Sequence, residues 1–328
     1  MSWTQIPKVE LHLHLEGGTP PSFIRAMAKE KSVDLSGIFN EDGSYAYRDF
    51  AHFLSVYEAA TSVLTSPQDF YRLTQAVLEE TTKAGVVYAE TFLSPDFCGG
   101  GDLPAWRDYL AAIKQAADEV EAAGGTTLRG IVTCIRHFGP EKAKPAAHCA
   151  AETAGEWLVG FGMAGAEDVG RQADYAYSFD MAREAGLRLT THAGEWRGPS
   201  EVRDAVEDLR VERVGHGVRA IEDADTVAML ADKGVTLEVC PGSNVVLGVV
   251  PDWQSHPIQR LREAGVKVTV STDDPPFFHT TLPREYEMLE KTFGWGEEDF
   301  AAVNQTALAA AFCNEDTRAR VAKRLETT

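Results

Sequence analysis

The sequence predicts a single (β/α)8 barrel of the TIM type that occupies residues 1–328. Short runs rich in Val, Ile, Leu and Thr alternate with longer helix-like runs from one end of the chain to the other. Most helix-like runs end at a turn glycine, as at 183–187 and 262–266, and no linker rich in Pro, Gly or Ser divides the chain. Eight such repeats favour a closed barrel over an open doubly wound sheet.

The strand-like runs define the barrel in chain order. They lie at residues 8–14, 86–93, 127–135, 157–163, 187–192, 213–216, 235–240 and 267–272. In the first run Glu10, His12 and His14 share one face, and the apolar side chains of Val9, Leu11 and Leu13 share the other. The apolar face would pack on the outer helices while the polar face lines the barrel. Reactive groups would then collect at the carboxyl ends of the strands, where barrel enzymes place their chemistry.

A helical insertion is predicted between the first two strands, at about residues 15–75. Part of it forms one apolar helix face, from residues that recur at helical spacing: Phe50, Phe53, Leu54 and Tyr57. Packing of this face on the barrel is the favoured interpretation, and a lid over the barrel mouth is a compatible one. The lid would make Leu54 and Tyr57 candidate substrate contacts.

Composition excludes several classes of function. The chain has 50 Asp and Glu against 31 Lys and Arg, which gives a formal net charge of −19, and 44% of its residues are hydrophobic. It can bury a core, whereas its acidic surface would repel nucleic acids and anionic membranes. No run reaches the roughly 20 apolar residues of a spanning helix, and no secretory signal is present, so we expect a cytoplasmic protein. Five scattered cysteines without a CxxC pair indicate reduced thiols.

A His-x-His pair closes the first predicted strand. His12 and His14 would project to the same side, about 7 Å apart along the backbone, a separation that one metal ion can bridge. The pair alone is a weak signal, but His192, His216 and Asp273 also end predicted strands, and those ends converge at one barrel mouth. Asp273 and the histidines other than His216 suit one zinc ion per chain, with a water in the open position.

Three further residues are candidates for acid–base chemistry or substrate contact. Glu195 lies three residues beyond His192, so it is a candidate proton donor and acceptor displaced from the metal. His216 stands between two glycines and would orient or deprotonate the water, with a buried structural histidine as the alternative. Asp274 would face the substrate beside Asp273, although the Asp-Asp-Pro-Pro run also indicates the start of a helix.

The end of the fourth predicted strand favours a single metal ion. Binuclear hydrolases on similar barrels usually need a bridging group there, often a modified lysine, and the stretch 157–167 has no lysine. Its glycines, Gly165 among them, suggest a backbone N–H offered to a flat ligand. No Walker loop and no GxGxxG opening a helix after a strand support the binding of nucleotide phosphates.

Together these motifs resemble the adenosine deaminase family within the amidohydrolase superfamily, over nearly the whole chain. The resemblance is carried by VELHLHLEG at 9–17, YAE at 88–90, AGAE at 164–167, THAGE at 191–195, GHGV at 215–218, CPGSN at 240–244 and STDDP at 271–275. It implies a zinc-dependent hydrolytic deamination of a 6-aminopurine, with the zinc ligands named above.

The resemblance also implies roles for single residues. By similarity, Glu195 protonates purine N1 as hydroxide attacks C6, and His216 assists the water. Gly165 offers its N–H to N3, and Asp274 contacts N7. Further candidate substrate contacts are His14, Glu16, Leu54 and Tyr57.

This chain departs from the family pattern at three places. Glu16 stands where members that act on adenosine usually carry an Asp that contacts the ribose 5′-hydroxyl, and His-Leu-Glu-Gly is common in relatives that act on adenine or modified nucleosides. The usual Glu-x-Arg at the end of the second strand ends in Phe92 here. Ala166 replaces the Asp of the usual Gly-Asp-Glu.

Other stretches, at 215–217 and 278–282, look closer to the nucleoside-acting members. We therefore expect adenosine or deoxyadenosine as the substrate. Adenine or another 6-aminopurine compound is the alternative, and a purine-binding protein without catalysis is a third possibility. A small purine nucleoside or base is the expected partner in each case, and the oligomeric state stays open.

Overall fold

A closed ring of parallel strands forms the centre of the protein. The computed structural model describes residues 3–326, and within them eight strands pair in the order β1 to β8. They are β1 (Lys8–His14), β2 (Val86–Leu93), β3 (Thr127–Ile135), β4 (Leu158–Ala164), β5 (Arg188–Ala193), β6 (Arg213–His216), β7 (Thr236–Val239) and β8 (Lys267–Val270). A parallel bridge between Leu13 and Asp273 joins the first strand to the segment after the last. The predicted (β/α)8 barrel is confirmed.

Helices follow each strand and surround the barrel. They are α1 (Pro21–Lys31), α2 (Phe50–Thr61), α3 (Pro67–Lys83), α4 (Leu103–Ala122), α5 (Pro140–Thr153), α6 (Ala176–Glu184), α7 (Pro199–Asp208), α8 (Ala224–Lys233), α9 (Pro241–Val246), α10 (Ile258–Glu263), α11 (Leu282–Phe293), α12 (Glu297–Ala310) and α13 (Glu315–Leu325). The side chains of Asp102, Asp223 and Thr281 accept backbone N–H groups at the starts of α4, α8 and α11. Gly234, with φ of 65°, ends α8 as the predicted turn glycine.

The last two strands are shorter than predicted, for local reasons. β7 ends at Val239 because Cys240 caps α9 and Pro241 occupies its first position. β8 ends at Val270, and three residues later Asp273 has a φ of 67°, outside the extended region. Both departures direct the following side chains toward the barrel mouth.

The insertion between β1 and β2 is helical, as predicted. It contains α1, α2 and the first half of α3, and Asp49 caps α2 by accepting the N–H of His52. Phe53 is buried, whereas Phe50 and Tyr57 are half-buried and pack against the core. That this segment opens and closes as a lid stays a prediction. No helix within residues 3–326 is both long and apolar enough to cross a membrane.

Three buried charges lie inside the barrel, and the sequence analysis did not identify them as a group. The guanidinium of Arg213 donates from Nε to Glu238 at 2.6 Å and pairs through Nη1 with Glu90 at 2.7 Å. It also stacks over the ring of Phe312, 3.5 Å from the centroid. All three charged side chains are at most 1% exposed. Since a buried charge without a partner is costly, each of these groups depends on the others.

Substitution of Arg213 tests this dependence. Arg213→Met leaves two carboxylates without their cation in the barrel, so we expect the free energy of unfolding to fall by about 3–5 kcal/mol. The exposed pair of Lys114 and Asp118 on α4 provides the control, and Lys114→Met should cost less than about 1 kcal/mol. Urea denaturation of both variants measures the difference. Equal losses would contradict the buried ion pairs as a stabilising element.

Candidate active site

One cavity at the carboxyl ends of the strands gathers most of the predicted site residues. They line it together: His14, Glu16, Leu54, Tyr57, Gly165, His192, Glu195, His216, Asp273 and Asp274. His12 lies buried beside this group, with its ring 4.5 Å from that of His192. The cavity is also lined by residues that the sequence analysis did not predict, including Phe97, Thr133 and His137. Thr133 lies near the carboxyl end of β3 and His137 follows that end, and this position is the signal that would have found them.

The predicted metal ligands form a compact group. The candidate ligand atoms of His12, His14, His192 and Asp273 all lie within 4.8 Å of one another. His14 Nε2 is 3.3 Å from His192 Nε2 and 3.2 Å from Asp273 Oδ1. His12 Nε2 lies 3.4 Å from Asp273 Oδ1 but has no hydrogen-bond partner within residues 3–326, although its side chain is fully buried. An orphaned nitrogen in such a donor set fits a metal ion.

Neighbouring groups orient two of these imidazoles. Nδ1 of His12 donates to Glu238 at 2.8 Å, and Nδ1 of His192 donates to the carbonyl of Met163 at 2.9 Å. In their neutral forms both rings therefore present Nε2 lone pairs toward the centre of the group, as metal-binding histidines do. Ser243 Oγ donates to Asp273 Oδ2 at 2.7 Å and leaves Oδ1 facing the histidines.

Charge also favours a cation at this point. Burial acts against the protonated imidazole of His12, yet the carboxylates of Asp273 and Glu238 raise its pKa to about 9. Burial and the neighbouring histidines lower the pKa of His192 well below its usual value. The group therefore stabilises one positive charge close to Asp273. A metal ion can supply that charge in place of the proton on His12.

A second group of possible ligands overlaps the first. This second group, found within residues 3–326, consists of His12, Asp273, His216 and Cys240. Burial, followed by nearby carboxylates, raises the pKa of the Cys240 thiol well above its usual value. Only the thiolate binds metals well, so the three-histidine group is the better candidate.

Glu195 is held as a buried acid next to the group. Burial, then the charges of Asp273 and Glu167, raise the pKa of Glu195 well above its usual value, which favours the protonated form of its carboxyl. Its loop is fixed by Glu167, whose carboxylate accepts the N–H groups of Gly194, Trp196 and Arg197 at 2.5–2.9 Å. A protonated carboxyl in a fixed loop can act as a general acid.

His216 faces Glu195 and Asp273 from the opposite side. Its Nε2 lies 3.8 Å from one carboxylate oxygen of each residue. Burial lowers the pKa of His216 to about 3, so the imidazole is neutral. It has a φ of 59°, and a Cβ at the preceding Gly215 would lie 2.8 Å from His12 Cε1. This crowding explains why glycine precedes the histidine.

Two more buried carboxyls close the cavity. Burial and the charges of Asp273, Glu195 and Glu16 raise the pKa of Asp274 well above its usual value. Burial raises the pKa of Glu16 to about 7. Asp274 Oδ1 and Glu16 Oε1 have no hydrogen-bond partner among the described residues. Asp274 does not act as a helix cap, because Thr281 caps α11.

Two glycines permit this close packing. A Cβ at Gly17 would lie 1.5 Å from Asp274 Oδ1, so the backbone of the loop after β1 can pass the carboxyl only without a side chain. Gly165 has a φ of 103°, and a Cβ there would lie 2.7 Å from His137 Nδ1. Its predicted place beside the cavity is observed.

Comparison with known proteins identifies the relatives of this chain. The family model described as adenosine deaminase matches residues 7–328. An adenine deaminase of Rhizobium rhizogenes is 48% identical over 323 residues, which is 98% of this chain and 99% of the relative. The crystal structure of an adenine deaminase from Arthrobacter aurescens is 30% identical, with a TM-score of 0.89 and 98% of each chain covered.

A further solved structure shares the fold. It is an amidohydrolase from Burkholderia ambifaria with bound zinc, which is 24% identical with a TM-score of 0.86 and covers 99% of this chain and 92% of that one. The extent of the family match, together with the first two relatives, decides the classification. This chain belongs to the adenosine deaminase family.

Proposed function

We propose that this protein is a zinc-dependent aminohydrolase that converts adenine and water into hypoxanthine and ammonia. The observation that carries the proposal is the meeting of three buried acids, Glu16, Glu195 and Asp274, with the histidine and aspartate group at one apolar cavity. A flat, uncharged ring with several nitrogens matches such a cavity, because Glu195 and Asp274 can donate hydrogen bonds to ring nitrogens when protonated, while Glu16 can accept one from a ring N–H.

Adenine replaces adenosine as the favoured substrate. The sequence analysis favoured the nucleoside, and that expectation is not confirmed; the names of the relatives support the alternative instead. Glu16 supports the same choice, since its carboxyl is 6% exposed and Oε1 lacks a partner. The free base offers a ring N–H that this oxygen can accept, whereas the nucleoside carries ribose on that nitrogen. A buried acceptor left unpaired would penalise the nucleoside.

Tyr57 helps to place this acceptor. Its hydroxyl lies 3.4 Å from Glu16 Oε2, and it projects from α2 into the cavity. Because Oε2 of Glu16 lies beside the Tyr57 hydroxyl, Oε1 of Glu16 remains available to accept a hydrogen bond from the ligand. Phe53 and Leu54 of the same helix line the cavity and would exclude water from the reacting atoms.

The zinc ligands in this proposal are His12, His14, His192 and Asp273. When bound, zinc would act as a Lewis acid that lowers the pKa of water to about 7. Zinc suits the set because its three imidazoles and one carboxylate are ligands that this ion prefers.

Proton transfer in the proposed reaction belongs to Glu195. As the water oxygen bonds to C6, the protonated carboxyl of Glu195 gives its proton to purine N1. The carboxylate then moves one proton of the water from that oxygen to the amino group, and it takes up the second proton of the water, which restores the protonated acid. The C6–N bond breaks and ammonia leaves. Over one cycle, one proton of the water ends on N1 and the other on ammonia.

The remaining contacts orient the ring. Asp274, whose pKa is raised by burial, would donate to N7 in its protonated form, and the backbone N–H of Gly165 would donate to N3. Both lie at the cavity, and the carboxyl of Asp274 has an oxygen without a partner. These contacts would fix the plane of the ring so that C6 faces the metal ligands.

Glu195→Gln tests the acid–base role. The amide keeps the shape of the side chain but cannot carry a proton between N1 and the amino group, so we expect kcat to fall by about 100- to 10,000-fold while zinc content is retained. The control is Glu207→Gln on the exposed side of α7, which should keep the parent rate. A Glu195→Gln enzyme with the parent kcat would contradict the assignment.

A substrate comparison tests the choice of the free base. We expect kcat/KM for adenine to exceed that for adenosine by about 100-fold or more, because the unpaired Glu16 carboxyl discriminates against the nucleoside. Glu16→Ala should remove most of this preference. Ammonia release and the change in ultraviolet absorbance on deamination measure both reactions. Equal kcat/KM values for the two substrates in the parent enzyme would contradict the proposal.

A further inference from the structure

A chain of buried polar groups extends from the cavity to the loop before α10. Asn244 Nδ2 lies 3.1 Å from His216 Nδ1, and Asn244 Oδ1 lies 3.2 Å from His256 Nε2. The backbone N–H of Ile258 donates to His256 Nδ1 at 3.2 Å. The three side chains are 0–2% exposed, so none of these contacts is exchanged freely for water. We call His256 and Asn244 the relay.

The hydrogen bond from the backbone of Ile258 determines which ring nitrogen of His256 carries the proton. A backbone N–H can only donate a hydrogen bond, so Nδ1 of His256 must be the nitrogen without a proton. The neutral ring then carries its proton on Nε2. This proton points to Asn244 Oδ1, which is an acceptor.

The contact with Asn244 determines which ring nitrogen of His216 carries the proton. Because Oδ1 of Asn244 is directed at His256, its NH2 group faces His216 Nδ1. An amide NH2 only donates, so Nδ1 of His216 accepts and the proton of its neutral ring lies on Nε2. The direction of each hydrogen bond therefore follows from the single backbone N–H of Ile258.

The Nε2 atom of His216 is directed at the reacting region. It lies 3.8 Å from Glu195 Oε2 and 3.8 Å from Asp273 Oδ2, and His216 lines the cavity. A proton on Nε2 makes His216 a hydrogen-bond donor between the proposed general acid and a proposed metal ligand. The sequence analysis allowed His216 either to orient the water or to deprotonate it, and a donor performs only the first task.

We propose that Asn244 and His256 are positioning residues that fix the Nε2–H tautomer of His216. Given the proposed function, His216 then donates a hydrogen bond to the oxygen that adds to C6 and stabilises the negative charge that develops there. No proton is transferred by His216 in this assignment. The relay itself touches neither the substrate nor the metal ligands.

The tautomer is measured directly by nitrogen NMR. Zinc-loaded enzyme labelled with 15N-histidine gives separate signals for protonated and unprotonated ring nitrogens, and the signals of His216 are those lost in His216→Gln. We expect Nε2 to carry the proton and Nδ1 to lack it. A protonated Nδ1, or an Nε2 without a proton, whether free or bound to metal, would overturn the proposal.

Variants of the relay test its cause. Asn244→Asp offers His216 an acceptor in place of a donor, so Nδ1 should become protonated; an Nδ1 that stays unprotonated would contradict the relay. His256→Leu removes the donor that holds the Asn244 amide, and we expect kcat to fall by about 10- to 100-fold with KM for the purine nearly unchanged. His256→Gln keeps a donor and should restore most of kcat and the parent tautomer. Loss in both His256 variants with an unchanged His216 spectrum would mean a structural role only.

The experiments separate this inference from the proposed function. The NMR measurement on the parent enzyme requires no substrate, so a result can be obtained even if neither adenine nor adenosine is deaminated. If adenine is deaminated and Nδ1 of His216 is protonated, only the relay is wrong. If the tautomer is as expected and no 6-aminopurine reacts, only the proposed function is wrong.

Discussion

The site depends on how the barrel closes. The N–H of His14 donates to the carbonyl of Asp273 at 3.1 Å, and the N–H of Asp273 donates to the carbonyl of His12 at 3.0 Å. These two hydrogen bonds join the first strand to the segment after the last, and they bring a His-x-His pair and an aspartate from opposite ends of the chain into one group. Closure of the barrel and assembly of the candidate metal site are therefore a single structural event.

The second constraint is the compensation of buried charge. Asp273 lies within 3.8 Å of three histidines and accepts from Ser243, and Glu238 joins His12 to Arg213. These anions have partners, so burial does not neutralise them. Among residues 3–326, Glu195 and Asp274 have no lysine or arginine ion-pair partner, and burial raises the pKa of both carboxyls, which favours their protonated forms. One interior thus contains both the anions that suit metal binding and the acids that suit hydrogen bonding to a purine.

The sequence predicted the barrel, and the four residues that it predicted as metal ligands lie together in the structure, because both results arise from local patterns. Strand alternation placed His12 and His14 on one face, and the convergence of strand ends in a barrel placed His192 and Asp273 near them. The sequence did not identify Glu238 as part of the site, because its partners, His12 and Arg213, lie 226 and 25 residues away in the chain. Asn244 and His256 were missed for the same reason: only the folded chain places them behind His216. The sequence marked Glu16 as a residue common in relatives that act on adenine, but the stretches at 215–217 and 278–282 outweighed it; the unpaired oxygen of Glu16 is visible only in three dimensions.

The position of the metal is the most direct test of the whole account. Crystals of the zinc-loaded protein, measured at the zinc absorption edge, should give one anomalous peak per chain. The account predicts a peak about 2.0–2.2 Å from Nε2 of His12, His14 and His192 and from the carboxylate of Asp273. A peak coordinated instead by His216 and Cys240, or a second peak of equal height in the cavity, would contradict it.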